Sequence, residues 1–264
     1  MYSFSFHRPK TLAEAASIQG GLEEPKLLGG GMTLVPTLKQ RLARPSDLID
    51  LSQIPELKGI RETAEGLEIG AFARHAEVAA SDLVRRTIPA LADLAGHIGD
   101  RQVRNLGTMG GSIANADPAA DYPAAVLALK STVKTDRREI DGDAFFTGMF
   151  ETALEPAEIV AAVRYQRPGK AAYAKFRNPA SRYAVVGVFV AVFGSEVRVA
   201  VTGAAGSVFR ATELESALAA DFRPEALEGI TVQRDDLNAD IHASADYRAH
   251  LVTVMAKRAV VACG

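Results

Sequence analysis

Cysteine is nearly missing from this chain, which carries a single thiol, Cys263, among 264 residues. That scarcity excludes internal disulfides and any iron–sulfur cluster held by four cysteines of this polypeptide. An ordinary C-terminal thiol is the plain reading of Cys263. Long apolar runs are missing too: the most apolar stretch, Ala184 to Phe193, is ten residues long, too short to span a bilayer, and reads as a buried strand. Charge of one sign does not dominate. A net charge of -2 gives no reason to expect nucleic acid or an acidic membrane as partner. No G-x-G-x-x-G follows a strand and no G-x-x-x-x-G-K-[ST] occurs, so neither a Rossmann nor a P-loop reading is supported. No G-x-S-x-G elbow is present, and no Ser-His-Asp constellation can be assembled. His7, His75, His97, His242 and His250 lack a nearby cysteine or acid at metal-ligand spacing, so no metal site is expected. The N-terminus alternates as a strand over Tyr2 to Phe6 and does not read as a signal peptide; a cytoplasmic location is the expectation.

What the chain does have is two glycine-rich segments separated by most of a domain. The first is Leu27-Leu28-Gly29-Gly30-Gly31-Met32-Thr33, leading into Leu34, and the second is Gly107-Thr108-Met109-Gly110-Gly111-Ser112. Successive glycines let the backbone take positive φ and approach an anion closely, so that consecutive N–H groups converge on phosphate oxygens. An isolated triple glycine is equally well read as a tight strand-to-helix turn. Two such segments, each closing on a hydroxyl (Thr33, Ser112), fit a pyrophosphate better than a single phosphate. After the second segment, Ile113 to Pro123 is rich in small residues, prolines and acids, a composition suited to a ligand groove.

These residues resemble the two FAD-binding signatures of the flavoprotein (medium) subunit of molybdenum hydroxylases, the carbon monoxide dehydrogenase and xanthine dehydrogenase group. The resemblance runs from Phe4-Ser5-Phe6-His7-Arg8-Pro9 through Val103-Arg104-Asn105-Leu106 and Lys175-Phe176-Arg177 to Tyr247-Arg248-Ala249-His250-Leu251. It departs at Met32-Thr33, where the family often has His-Ser, and at Ser112, where it often has Asn. The resemblance implies noncovalent FAD in contact with both glycine segments. It further implies that Asp121 accepts from ribose or ribityl hydroxyls, that Lys175 stands near the pyrimidine end of the isoalloxazine, that Tyr183 covers the ring, and that Ile98 and Val160 make apolar contacts. Without it, Asp121 reads equally well as a turn or capping aspartate, while Lys175 reads as a surface lysine, Tyr183 as a half-buried strand tyrosine, and Ile98 and Val160 as core. Arg101 and Arg104 either add positive potential before the second segment or form surface ion pairs. The implied partners are a large molybdopterin subunit and a small subunit with 2Fe-2S clusters, in a dimer of heterotrimers. Electrons would pass from those clusters to an external acceptor. The alternatives are a self-contained flavin oxidase or reductase, and a nonenzymatic subunit that binds a nucleotide for assembly.

The expected fold class is α+β: a two-part FAD-binding domain of the PCMH type, over residues 1–57 and 58–167, then a smaller α+β domain over 168–264. Thr11-Leu12-Ala13-Glu14 matches a capping box that opens a helix. Strands are expected at Lys26–Leu28, Leu48–Leu51, Leu67–Ala71 and Glu158–Tyr165, helices around Pro36–Leu42 and Pro89–His97, and an exposed strand or hairpin over Lys134–Asp141. Gln166 to Lys170 is the best boundary, because proline and glycine sit together in a polar run. Beyond it, Ala184–Phe193 and Val197–Thr202 flank Gly194-Ser195-Glu196 as a hairpin, and a helix over Ala245–Val261 closes the chain.

Overall fold

The computed structural model describes residues 1–232 and 235–264. Its first fifty residues alternate strand and helix: β1 (Ser5–His7), α1 (Leu12–Gly20), β2 (Pro25–Leu28), α2 (Leu34–Lys39) and β3 (Asp47–Asp50). The strands form a parallel sheet in the order β1-β3-β2. Each of these five elements overlaps a strand or helix expected from the sequence, in the same order, with the bounds shifted by a few residues. The Thr11 hydroxyl accepts from the Glu14 amide at 3.1 Å, and Glu14 reaches back to the Lys10 amide at 2.7 Å, so the predicted cap starts α1.

A second sheet follows, with order β4-β5-β10-β6-β7 and every pairing antiparallel. It comprises β4 (Ile60–Glu62), β5 (Gly66–Gly70), β6 (Thr132–Thr135), β7 (Glu139–Asp141) and β10 (Val160–Gln166). Six helices lie between β5 and β6: α3 (His75–Ala80), α4 (Asp82–Thr87), α5 (Pro89–Gly96), α6 (Arg101–Leu106), α7 (Met109–Asn115) and α8 (Tyr122–Ala128). Of these, the sequence announced only α5 as a helix. The others are six or seven residues long, below the length at which a helical period declares itself. A short helix α9 (Gly142–Phe145) and the hairpin β8 (Phe146–Gly148) and β9 (Glu151–Thr152) complete this part.

The remaining chain builds an antiparallel sheet of β11 (Lys170–Arg177), β12 (Ala184–Phe193), β13 (Glu196–Thr202) and β14 (Phe209–Arg210), with α10 (Thr212–Ala220) and α11 (Ala245–Ala262). Gly194, at φ +61°, begins the predicted turn between β12 and β13. β12 is apolar along nearly its whole length because both of its faces are covered. Val186, Val188 and Val190 pack with Leu251, Val252 and Met255 of α11. Phe189 and Ala191 join a core that also holds Tyr122, Leu127 and Tyr173. All seven residues of α8 are buried, and the helix touches both β12 and β13. The loop before it is tied down as well: the Gly203 amide donates to the Pro118 carbonyl at 2.7 Å, and the Thr202 hydroxyl bonds the Pro118 and Ala120 carbonyls at 2.9 and 2.6 Å.

Candidate functional site

The two glycine segments, some eighty residues apart in sequence, meet in space. A Cβ placed on Gly30 would lie 1.8 Å from the Leu106 carbonyl oxygen and 2.7 Å from the Gly107 Cα. One on Gly29 would lie 2.9 Å from the Thr108 hydroxyl. Only residues without side chains let these backbones approach so closely. Thr108 caps α7, its hydroxyl accepting from the Gly111 amide at 3.2 Å.

The segments differ in what they offer a ligand, and here the expectation from sequence needs correction. Among the glycines of the two segments only Gly31, at φ +71°, has a positive φ. Gly110 and Gly111 form the first turn of a helix, not a loop. The amides of the second segment are already engaged: Met109 donates to Ala73 at 2.9 Å, Gly110 to Ala71 at 2.8 Å and Ser112 to Thr108 at 3.0 Å. A Cβ on Gly110 would lie 2.4 Å from the Ala71 Cβ, so this glycine seats α7 against the end of β5. By contrast, the amides of Gly30, Gly31, Met32, Thr33 and Leu34 have no acceptor among the described residues. Five consecutive uncharged donors on half-buried or exposed backbone are chemistry that suits a phosphate diester or diphosphate. The residues present therefore fit the diphosphate of a dinucleotide, through the first segment's amides and beside the exposed Gly111 and half-buried Ser112 of α7.

Asp121, Lys175 and Tyr173 form a buried cluster beside this clasp. Lys175 Nζ lies 2.8 Å from Asp121 Oδ1 and 2.9 Å from Oδ2, and it donates to the His97 carbonyl at 3.3 Å. The Tyr173 hydroxyl donates to Asp121 Oδ1 at 2.5 Å. Both charged side chains are about 95% buried, with 4% and 5% exposed. Burial pushes the Asp121 carboxyl up and the Lys175 ammonium opposes that; burial, with Asp121 beside it, pushes the Tyr173 phenol far above its usual value. The resemblance gives Asp121 a ribose or ribityl hydroxyl to accept from and places Lys175 near the pyrimidine end of the isoalloxazine; the structure adds that the two side chains are paired with each other. Tyr173 was missed, although it lies two residues before Lys175 and so shares its face of β11. Gly187, opposite Lys175 on β12, makes room: a Cβ there would lie 2.2 Å from the Tyr173 hydroxyl.

Tyr183 is 43% exposed and its phenol meets the Thr33 side chain, with Asp117 nearby; burial and Asp117 raise its pKa. The first glycine segment and the loop between β11 and β12 thus face one another. Ile98 is half-buried against the core after α5. Val160 is buried within β10, paired with Thr135, and carries no polar contact to the clasp. Neither Arg101 nor Arg104 forms an ion pair among the described residues; Arg104 donates instead to the Ile98 and Gly99 carbonyls at 2.9 and 3.2 Å.

His75, which the sequence placed outside both glycine segments, abuts the second. A Cβ on Gly107 would lie 2.6 Å from its Nε2. Burial, helped by the Arg104 charge, pushes its pKa down to about 4, against about 6.5 in an unfolded chain. Between those values the unfolded chain binds a proton that the folded chain refuses. Stability is therefore expected to fall by about 3 kcal/mol as pH drops from about 6.5 to about 4. Urea titrations across that window check this, and His75→Leu should flatten the slope. Glu68, which burial raises but Lys134 and Arg61 bring down to about 2, contributes a separate loss at lower pH.

Comparison with known proteins finds relatives along nearly the whole chain. Residues 2–165 match the family model described as the FAD binding domain in molybdopterin dehydrogenase. The nicotine 6-hydroxylase medium subunit of Paenarthrobacter nicotinovorans is 33% identical, over 97% of this chain and 95% of that protein. The carbon monoxide dehydrogenase medium chain of Hydrogenophaga pseudoflava is 34% identical, over 97% of this chain and 96% of that one. Among solved structures, reconstituted CO dehydrogenase from Oligotropha carboxidovorans superposes with a TM-score of 0.89 at 31% identity, covering 99% of this chain and 98% of that chain.

Proposed function

The chain belongs to the family of FAD-binding domains of molybdopterin dehydrogenases, and from that premise we propose that it is the medium, flavin-carrying subunit of a molybdenum-containing hydroxylase or dehydrogenase. Its partners would be a large molybdopterin subunit and a small subunit with 2Fe-2S clusters, assembled as a dimer of heterotrimers. The complex would carry electrons from those clusters to an external acceptor. The division into 1–57, 58–167 and 168–264, with a PCMH-type FAD-binding unit first, is part of the proposal and is supported by each sheet lying within one of these spans. A cytoplasmic setting is also proposed; among the described residues no helix is long and apolar enough to cross a membrane.

The observation that carries the reading is the clasp itself, in which the side-chain-free approach of Gly30 to Leu106 and Gly107 brings the segment with five unengaged amides up to the residues just before α7. Bound noncovalently, FAD would supply a redox centre able to exchange electrons singly or in pairs. The amides of residues 30–34 would hold its diphosphate, with Leu27, Leu28 and Gly29 fixing the strand end behind them. Thr33 and Tyr183 would orient a ring and exclude water from one side of it. The Asp121–Lys175 pair presents a charge-compensated floor rather than a bare cation, so the field it sets up is that of a dipole.

Purification of the chain with its native partners tests this. The expected result is bound FAD, seen as flavin absorbance, with molybdenum and iron in the same complex. A chain that stays colourless after incubation with excess FAD refutes the proposal; one that binds FAD but captures neither metal refutes the partner assignment alone.

A further inference from the structure

A second concavity lies among α3, α4, α5 and α6, on residues that the flavin reading does not use. It is two adjoining grooves of about 460 and 260 Å³ that share Ala79 and Arg85. Their combined size falls in the range of small-molecule sites. The floor is made of small residues, Ala76, Ala79 and Ala80 at one end and Ala92 and Gly96 at the other.

The two ends differ in charge. The smaller groove is lined by Arg85, Arg101 and Arg104, with no acidic residue among its walls. Arg101 is exposed and has no hydrogen-bond or ion-pair partner among the described residues. Arg85 engages only its Nε, with the Ala79 carbonyl at 3.0 Å, leaving its two terminal nitrogens unengaged. Arg104 is held in place by the Ile98 and Gly99 carbonyls. The larger groove carries Pro89, Ala92, Gly96 and the Asp93–His97 pair, with His97 Nδ1 3.4 Å from Asp93 Oδ2. One end therefore presents three guanidinium groups, and the other a shallow flat trough with a single carboxylate and an imidazole.

We propose that this groove binds a nucleoside diphosphate, its diphosphate among Arg85, Arg101 and Arg104 and its nucleoside over Pro89, Ala92 and Gly96. Guanidinium forks match phosphate oxygens two at a time, and two phosphates in series can engage three of them. A flat base suits a floor without branched side chains, and Asp93 can accept from ribose hydroxyls. The groove and the flavin cleft share one element: His97 lines the groove, and its carbonyl accepts from Lys175. Occupancy of the groove would thus be felt at the Asp121–Lys175 pair.

Titration calorimetry of the full chain, saturated with FAD so that the flavin cleft is filled, tests the proposal with ADP as probe. Saturable ADP binding is expected, weaker for pyrophosphate and absent for adenosine. Arg101→Ser should weaken it at least tenfold, and Arg85→Ser with Arg101→Ser should abolish it, while flavin absorbance stays unchanged. Absence of saturable binding at millimolar ADP overturns the proposal. So does binding that the arginine substitutions leave unaltered, or ADP that displaces FAD, which would place it in the other cleft. If the chain proves colourless the flavin reading fails on its own evidence, and the comparison of wild type with Arg101→Ser still decides the groove.

Discussion

Gly30→Ala is expected to yield a folded chain that does not retain FAD. The added methyl falls 1.8 Å from the Leu106 carbonyl oxygen, and neither backbone can give way without moving a segment. Overpacking of this kind costs about 1–3 kcal/mol. Here the yielding element is the strand-to-helix bend carrying the free amides, so the strain falls on ligand affinity, a loss of ten- to a hundredfold at about 1.4 kcal/mol per decade. Gly111→Ala should do much less, because its Cβ would meet only the Thr108 hydroxyl, at 2.8 Å. Gly20→Ala is the control, since nothing lies within 4 Å of its Cβ. Flavin absorbance after desalting, with circular dichroism for folding, reads all three. Retention of FAD by Gly30→Ala at wild-type affinity would show that the close approach is not needed for binding.

The second large effect concerns the buried ion pair. Lys175→Met or Asp121→Asn leaves one member of a pair some 95% buried without its counter-ion, and removal of one partner from such a pair typically costs 3–5 kcal/mol. The double substitution should recover most of that loss, because the uncompensated charge is gone. Urea denaturation of the four proteins gives the coupling energy directly. Tyr173→Phe, which removes only the hydroxyl bonded to Asp121 at 2.5 Å, should cost less than either single change. Additive single effects would show that the pair contributes nothing as a pair.

How much of this was legible beforehand follows from what kind of signal each feature leaves. The β12–β13 hairpin, α11 and the capped α1 were readable because each is coded locally, by a long apolar run, a long helical stretch or a Thr-x-x-Glu cap. The glycine segments were readable as a pair, but their mechanics were not. Nothing local distinguishes a glycine that needs positive φ, such as Gly31, from one that lets another backbone approach, such as Gly30, or one that seats a helix, such as Gly110. The Asp121–Lys175 contact spans more than fifty residues and leaves no pattern in either neighbourhood. His75 escaped notice for the same reason: its proximity to Gly107 is set by the packing of α3 against α6.

The helix α8, buried on every side, has a consequence for how the polypeptide comes into being. Its covering strands β12, β13 and β14 and the partners of the Pro118 to Ala120 carbonyls are supplied by residues up to Arg210. During synthesis the stretch matched as an FAD-binding module is finished well before those strands exist. Until they are made, the apolar helix has no cover on that side and those carbonyls bond water instead, so this part of the core closes only after the later strands have been synthesised.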